Sequence, residues 1–304
     1  MSSNTKQSAL ARNLKCFLGK NFPLFSTRLF MRRKLGYDLD LENPKSLNQK
    51  MQWLKIYVYS NDKRVADRID KYKVRTIIEE SGLGNTLTKL YGVWDKAEDI
   101  DWDKLPRKFV LKCNHGSGYN IICKDKSEFD TNKAIKQLNK WMSENYGYEN
   151  AELIYDYVEH KIICEEFIET EDGLPPKDYK IFCSYGQPKL LFVAQDRYEG
   201  NTKFDYYDTD WNWIDVRNGH PNAAKHMEKP DYLDEMLDAA SKLSKEFPLV
   251  RVDFYHENGR LYFGELTFLH FGGVQCFDPG DYDFKFGSLF PLDIEKLKSQ
   301  SRNR

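Results

Sequence analysis

The chain has 304 residues, with 46 lysines and arginines against 47 aspartates and glutamates and a net charge of −1. Its 40% apolar and 14% aromatic content is ample for a core and predicts two domains or one elaborate one, while 31% charged residues exclude a membrane-embedded chain. No run approaches the ~20 apolar residues of a membrane span, no secretory leader is expected, and no nucleic-acid partner is expected.

The balance of charge hides an uneven start. Residues 1–34 hold Lys6, Arg12, Lys15, Lys20, Arg28, Arg32, Arg33 and Lys34, with no acidic residue before Asp38. Leu14, Phe17, Leu18, Phe22 and Phe30 are interleaved among them, so residues 1–44 read as a basic helical segment. Two roles are open for residues 1–34: contact with an anionic membrane surface, or a docked or frayed helix with a solvated basic face. The six cysteines (Cys16, Cys113, Cys123, Cys164, Cys183 and Cys276) lack metal-type pairing and predict reduced thiols in a cytoplasmic protein.

Asp70–Ser81 reads as a helix, with Val74, Ile77 and Ile78 at helical spacing and Gly82 as its stop. Lys108–Lys112 and Asn120–Lys124 read as strands around a glycine loop, and Thr131–Tyr146 as a helix. Lys161–Phe167, Asp178–Cys183 and Pro188–Ala194 are predicted strands, rich in β-branched and aromatic residues. Pro230 and Asp231 open a helix carrying Leu233, Met236, Leu237, Ala240 and Leu243 on one face. A hairpin over Arg251–Thr267 follows, and the chain ends in a charged tail at 293–304. Segregated hairpins with flanking helices predict an α+β fold.

Two segments carry the chemistry. In Phe109-Val-Leu-Lys112-Cys-Asn-His-Gly116-Ser117-Gly118, a strand delivers a lysine into a loop whose glycines leave backbone N–H groups open to phosphate oxygens. It is no Walker loop, because no Gly-Lys-Ser/Thr follows. Asn114 and His115 set it apart from an ordinary hairpin turn. Glu165-Glu166-Phe167-Ile168 ends a hydrophobic strand; as an edge it would offer backbone groups to adenine, or it is merely an edge strand leaving the core.

The second segment is Arg251-Val-Asp253-Phe-Tyr, a turn at Glu257-Asn-Gly259, and Phe263-Gly-Glu265-Leu-Thr267. Two carboxylates on neighbouring strands hold one metal only if they share a face. A two-residue loop would pair Asp253 with Gly264 and put Glu265 on the other face. A three-residue loop, Glu257–Gly259 with Gly259 left-handed, pairs Arg251 with Glu265 and puts Arg251, Asp253, Glu265 and Thr267 together, and it is the expected form. Carboxylate oxygens beside phosphates suit magnesium, and Arg251 suits a developing oxyanion. The plain alternative is a salt-bridge stripe on an exposed hairpin.

With Ser46-Leu-Asn-Gln-Lys-Met-Gln-Trp-Leu-Lys55, Asp70-Lys71-Tyr, Gly92-Val-Trp and Asp178-Tyr-Lys180, these segments resemble the TupA-like ATP-grasp family over about residues 45–292. The resemblance implies an ATP-grasp fold with a lid subdomain at about 105–167. It implies a carboxylate–amine ligase working through an acyl-phosphate in cell-surface polysaccharide or peptide-polymer assembly, with ATP and Mg2+ as cofactors. Its substrates would be a small-molecule or saccharide carboxylate and an amine or amino acid. By similarity Lys71 and Lys112 would contact ATP phosphates under the Gly116–Gly118 lid, Glu165 to Ile168 would line adenine, Asp178 would approach the ribose, and Lys180 would also bind ATP. Asp253, Glu265 and Thr267 would hold metal, with Thr267 standing where such ligases usually carry asparagine; Arg251 would steady acyl transfer.

The acceptor side is less marked. His270 could assist in deprotonating the amine, or serve as a core or supporting histidine. Gly272 and Gly273 could cradle a carboxylate. The aromatics of Phe204–Trp213 could stack on sugars or pack as core. The rival readings are a metal-dependent glycosyltransferase using Asp208-Thr-Asp210, and a non-catalytic nucleotide-binding scaffold.

Overall fold

The computed structural model describes residues 2–197 and 200–302, with backbone alone for 2–9 and 301–302, so the Lys6 side chain lies outside the described set. Two antiparallel sheets organise it. The first has the order β1-β4-β2-β3, from β1 (Leu90–Trp94), β2 (Phe109–Cys113), β3 (Asn120–Cys123) and β4 (Ile162–Glu166). The second has the order β10-β9-β5-β6-β7-β8. Its strands are β5 (Asp178–Ser184), β6 (Gln187–Gln195), β7 (Lys203–Tyr207), β8 (Trp213–Ile214), β9 (Val250–Glu257) and β10 (Arg260–Thr267).

Nine helices are described: α1 (Ser2–Asn21), α2 (Pro23–Leu35), α3 (Leu47–Leu54), α4 (Lys63–Ile69), α5 (Val74–Glu80), α6 (Thr131–Met142), α7 (Leu233–Ser244), α8 (Tyr282–Ser288) and α9 (Ile294–Arg302). The larger core lies on the six-stranded sheet, where α7 packs Leu233, Met236, Ala240 and Leu243 against β5, β6 and β9. A smaller core joins Phe109, Leu111, Ile162 and Cys164 of the first sheet to Leu138 of α6.

The predicted strands and the helix at 233–244 are present, and other expectations are corrected. The helix expected over Asp70–Ser81 starts only at Val74, as α5, because Asp70 is the C-cap of the preceding α4 and its carboxylate accepts from the N–H groups of Tyr72 and Lys73 in the intervening turn. α6 stops at Met142 rather than Tyr146. The charged tail is largely α9, which anchors itself through buried Leu297; residues 303–304 lie outside the described set. All six cysteines are free thiols.

The Ser46–Lys55 motif is a staple. Ser46 and Gln49 form a capping box that starts α3. From there Asn48 Nδ2 donates to Gln275 O and Asp283 Oδ2, both at 2.9 Å. Lys50 Nζ donates to the carbonyls of Gly287 and Phe290 at 2.7 and 2.9 Å, and Gln52 Nε2 to those of Gly272 and Gly273 at 2.6 and 3.0 Å. A helix with these polar residues all buried is affordable only because each has a carbonyl or carboxylate partner.

Candidate active site

The β9–β10 hairpin reaches its chemistry by a different route from the one expected. Glu257 pairs with Arg260 across a two-residue turn, in which Asn258 and Gly259 have φ of 51° and 71°. Both positive angles are those of a tight hairpin turn matched to strand twist. Phe263 then pairs with Phe254, but the register slips at Gly264, so that Glu265 faces Asp253 and Thr267 faces Arg251. The extra residue is a β-bulge. A Cβ at Gly264 would lie 3.0 Å from the Asp253 carbonyl oxygen, which explains a glycine there. The three-residue loop and the Arg251–Glu265 pairing are therefore corrected, while the shared face stands.

On that face Arg251 is the hub. Its Nε donates to Asp253 Oδ1 at 2.6 Å and its Nη2 to Asp253 Oδ2 at 2.7 Å. The same Nη2 reaches Glu265 Oε1 at 3.1 Å and Thr267 Oγ1 at 3.0 Å. Lys180, on neighbouring β5, donates to Asp253 Oδ2 and pairs with Asp178 Oδ2 at 2.7 Å. Asp178, which lines the cavity, also accepts at Oδ2 from Arg197 at 3.0 Å, while its Oδ1 is buried with no hydrogen-bond partner. Burial alone would raise the Glu265 carboxyl; Lys71, Arg251 and Lys180 outweigh it and hold it at about 2.

His270 Nδ1 accepts from Arg251 Nη1 at 2.7 Å, and its Nε2 donates to Asn218 Oδ1 at 2.8 Å. The tautomer follows from Asn218, whose Nδ2 donates to the Cys276 carbonyl and whose Oδ1 must therefore accept. With both nitrogens engaged, His270 supports Arg251, and the expectation that it takes a proton from an amine is corrected on that ground. Burial, then Arg251 and Lys180, push its pKa well below 6.5. The sign is clear: in acid the unfolded chain binds a proton here and the folded chain does not, so this group's contribution is full above ~6.5 and falls below it by about 1.4 kcal/mol per pH unit. Urea unfolding between pH 7 and 5 should show a shallower pH slope for His270→Gln than for the native chain; parallel slopes would refute the neutral buried state.

The glycine-loop half of the site is built on the first sheet. Lys112, near the end of β2, pairs with Glu165 Oε2 at 2.6 Å, and Arg75 Nη1 pairs with Glu165 Oε1 at 2.7 Å. Burial favours the neutral acid, but Lys112 and Arg75 outweigh it, so Glu165 stays below the usual carboxylate range. β4 is interior, flanked by β1 and β2, so the edge expected at Glu165 is corrected: its backbone is in the ladder and its side chain holds cations. Glu166, Phe167 and Ile168 do not line the cavity that Glu165 lines.

Lys71 Nζ donates to the Gly116 carbonyl at 2.5 Å, tying α5's leading turn to the loop. Gly116 (φ 82°) admits no side chain, since a Cβ would meet the Tyr146 ring at 2.8 Å; Ser117 is exposed between it and Gly118 (φ 76°). Asn114 and His115 prove structural. The Asn114 amide bridges Asp70, Glu159 and the Lys161 N–H, and the buried His115 ring stacks on His160 at 3.5 Å.

One cavity of about 780 Å³ gathers these pieces: Lys71, Lys112, Gly116–Gly118, Asp178, Lys180, Arg251, Asp253, Glu265, Thr267 and His270 all line it. Arg75, Tyr146 and Asn218, which position Glu165, Gly116 and His270, left no local signal in the sequence. Asp208 and Asp210 lie outside the lining; Asp208 accepts from the N–H groups of Asp210 and Asn212 at 3.0 and 2.8 Å and makes a turn. Of the aromatic run, Phe204, Tyr206 and Tyr207 are core, Phe204 also lining the cavity, while exposed Trp213 stacks on His226.

Among the described residues no cluster of three His, Cys, Asp or Glu stands at metal-holding spacing. Asp253, Glu265 and Thr267 nevertheless bring two carboxylates and a hydroxyl to one face, hard oxygen donors of the kind that would suit magnesium.

Known structures with similar folds include the ATP complex of D-alanine–D-alanine ligase from Bacillus anthracis, at 15% identity, TM-score 0.46, and coverage of 79% of this chain and 70% of that one. The L-amino acid ligase from Bacillus licheniformis matches at 13% identity and TM-score 0.45, over 84% of this chain and 57% of that one. No curated protein sequence gives a significant match. The family model for TupA-like ATP-grasp proteins matches residues 49–291. The chain therefore belongs to the TupA-like ATP-grasp family, with an α+β ATP-grasp fold.

Proposed function

We propose that this enzyme joins the carboxylate of a uronic acid, in a cell-surface polysaccharide or its precursor, to an amine or amino acid, working in the cytoplasm at the inner face of the membrane. The observation that carries the reading is the single cavity that unites the Lys112–Gly118 segment with the Arg251–Thr267 hairpin. ATP would lie with its phosphates against Lys71, Lys112, Lys180 and the Gly116–Gly118 loop, the first sheet and α6 acting as the lid. Asp178 Oδ1, buried and without a partner, is a fitting acceptor for a ribose hydroxyl.

Asp253, Glu265 and Thr267 would hold magnesium, which when bound neutralises charge on the transferring phosphoryl group. The carboxylate oxygen attacks the γ-phosphorus, ADP leaves, and the amine then displaces phosphate from the acyl-phosphate. Arg251, kept cationic by Asp253, would stabilise the tetrahedral oxyanion.

Screening uronic acids against amines by mass spectrometry, with ADP release followed in parallel, tests the assignment. ADP formation that requires both partners and yields an amide is expected. Sugar transfer from a UDP-sugar without ATP would replace the ligase with a transferase, and nucleotide binding with no turnover across the screen would favour the scaffold.

A further inference from the structure

The N-terminal helices have two faces with different jobs. The inner face is fastened to the body. Arg12 Nη2 pairs with Glu144 at 3.0 Å and its Nε with Glu149; Lys15 reaches Glu149 at 3.9 Å, and Lys20 lies over the Tyr148 ring. Gly19 packs so closely that a Cβ would lie 1.9 Å from the Tyr148 carbonyl oxygen. Ser26, Thr27 and Met31 of α2 are buried, and Lys15, Phe30 and Lys34 line the catalytic cavity.

The outer face is bare and apolar. On α1, Leu10, Leu14 and Phe17 stand at i, i+4 and i+7 with exposures of 72%, 58% and 57%. On α2, Leu24, Phe25 and Leu29 are 38%, 58% and 44% exposed, and the same stripe continues into exposed Arg28, Arg32 and Arg33. Phe17 and Phe22, rings 6.3 Å apart, join the two halves across the hairpin bend. The described helices contain none long and apolar enough to cross a membrane. A contiguous apolar patch on a soluble surface marks an interaction site. Its partner should be anionic: residues 1–37 contain eight lysines and arginines and no aspartate or glutamate. The acidic groups that neutralise the hairpin, Glu144 and Glu149, belong to the body and meet its inner face, leaving the outward arginines uncovered except for the Arg32–Asp38 contact at 3.8 Å.

We propose that the α1–α2 hairpin docks this enzyme on an anionic lipid bilayer, inserting Leu14, Phe17 and Phe25 at the headgroup boundary with Arg28 and Arg33 on the phosphates. Apolar insertion and basic attraction are the two signals that a stable interfacial anchor needs. Because the opposite face of the same helices walls the cavity, docking holds that cavity about one helix diameter, ~10 Å, from the headgroups. Resting on the ligase reading, this selects a membrane-borne substrate, a carboxylate or amine carried on a lipid, over a freely diffusing one.

Flotation of the full chain with phosphatidylcholine vesicles, with and without phosphatidylglycerol, tests the docking without ATP or substrate, so its outcome is separate from that of the ligase screen. Binding is expected only with the anionic lipid, weakening as salt rises. The Leu14→Ser, Phe17→Ser, Phe25→Ser variant should bind at least ~10-fold more weakly, three partly inserted side chains being removed. These exposed positions lie outside the cavity, so ATP affinity by calorimetry should be unchanged and reports an intact fold. Equal binding to neutral vesicles, no binding to either, or binding indifferent to the triple variant each overturns the proposal. A dimer that the triple variant dissolves, with no vesicle binding, would assign the face to a second copy instead.

Discussion

Replacing Asp253 with asparagine is expected to lower magnesium-dependent ADP formation by about three orders of magnitude, about 4 kcal/mol of transition-state stabilisation. Asp253 is 1% exposed, and its two oxygens are the anion shared by Arg251 and Lys180. Asparagine keeps the shape and removes the charge, so the proposed magnesium site would lose one of its two carboxylates, and Arg251 and Lys180 lose their common partner. Nucleotide binding should persist, because Lys71, Lys112 and the glycine loop are untouched. A calorimetric titration of ATP with and without magnesium, beside a turnover assay, separates the two effects. Turnover within about tenfold of the native enzyme would remove Asp253 from the metal site. Sugar transfer from a UDP-sugar that survives in the Arg251→Ala, Asp253→Asn double variant would overturn the ligase mechanism.

Arg251→Ala should fail in two ways at once. In the proposed role of stabilising developing charge, its loss should cost about two to three orders of magnitude in turnover. The resemblance implies a role for Arg251 in acyl transfer alone. The structure alters that expectation, because the same guanidinium is bidentate to Asp253 and bonded to Glu265, Thr267 and His270. Deleting one partner of a buried ion network costs about 3–5 kcal/mol, which for a chain of this size lowers the melting temperature by roughly 10 °C. Magnesium-dependent ATP binding should weaken too, since Asp253 and Glu265 lose the group that orients them. Arg251→Lys restores the charge without the fork, and should recover part of the stability but little turnover. An alanine variant that melts with the native protein and turns over within a few-fold would refute the hub.

Much of this enzyme is local and therefore legible in its sequence. β-Branched and aromatic runs mark β5 and β6, period-two alternation marks β9, helical spacing marks α7, and the lysine–glycine loop, read with its Asn114 and His115, points to phosphate chemistry. The density of motifs between Ser46 and Phe268 was enough to name the family. What remained hidden depended on which strand lies beside which. Nothing in Glu165-Glu166-Phe167 says whether its strand is an edge or an interior one, because backbone pairing leaves no mark on side-chain order. Spacing alone also misjudged the hairpin. A two-residue turn should have separated Asp253 from Glu265, and they share a face only because Gly264 bulges where its missing Cβ lets it approach the Asp253 carbonyl. The polar residues of Ser46–Lys55 could be recognised but not explained until α8 and the Gly272–Gly273 turn supplied their partners. The basic N-terminus, ambiguous as sequence, became one face of the cavity and one bare apolar face once Glu144, Glu149 and Tyr148 held its inner side. Local periodicity determined the elements of this protein; contacts between residues far apart in the chain, which no window of sequence contains, decided which side chains meet in the site.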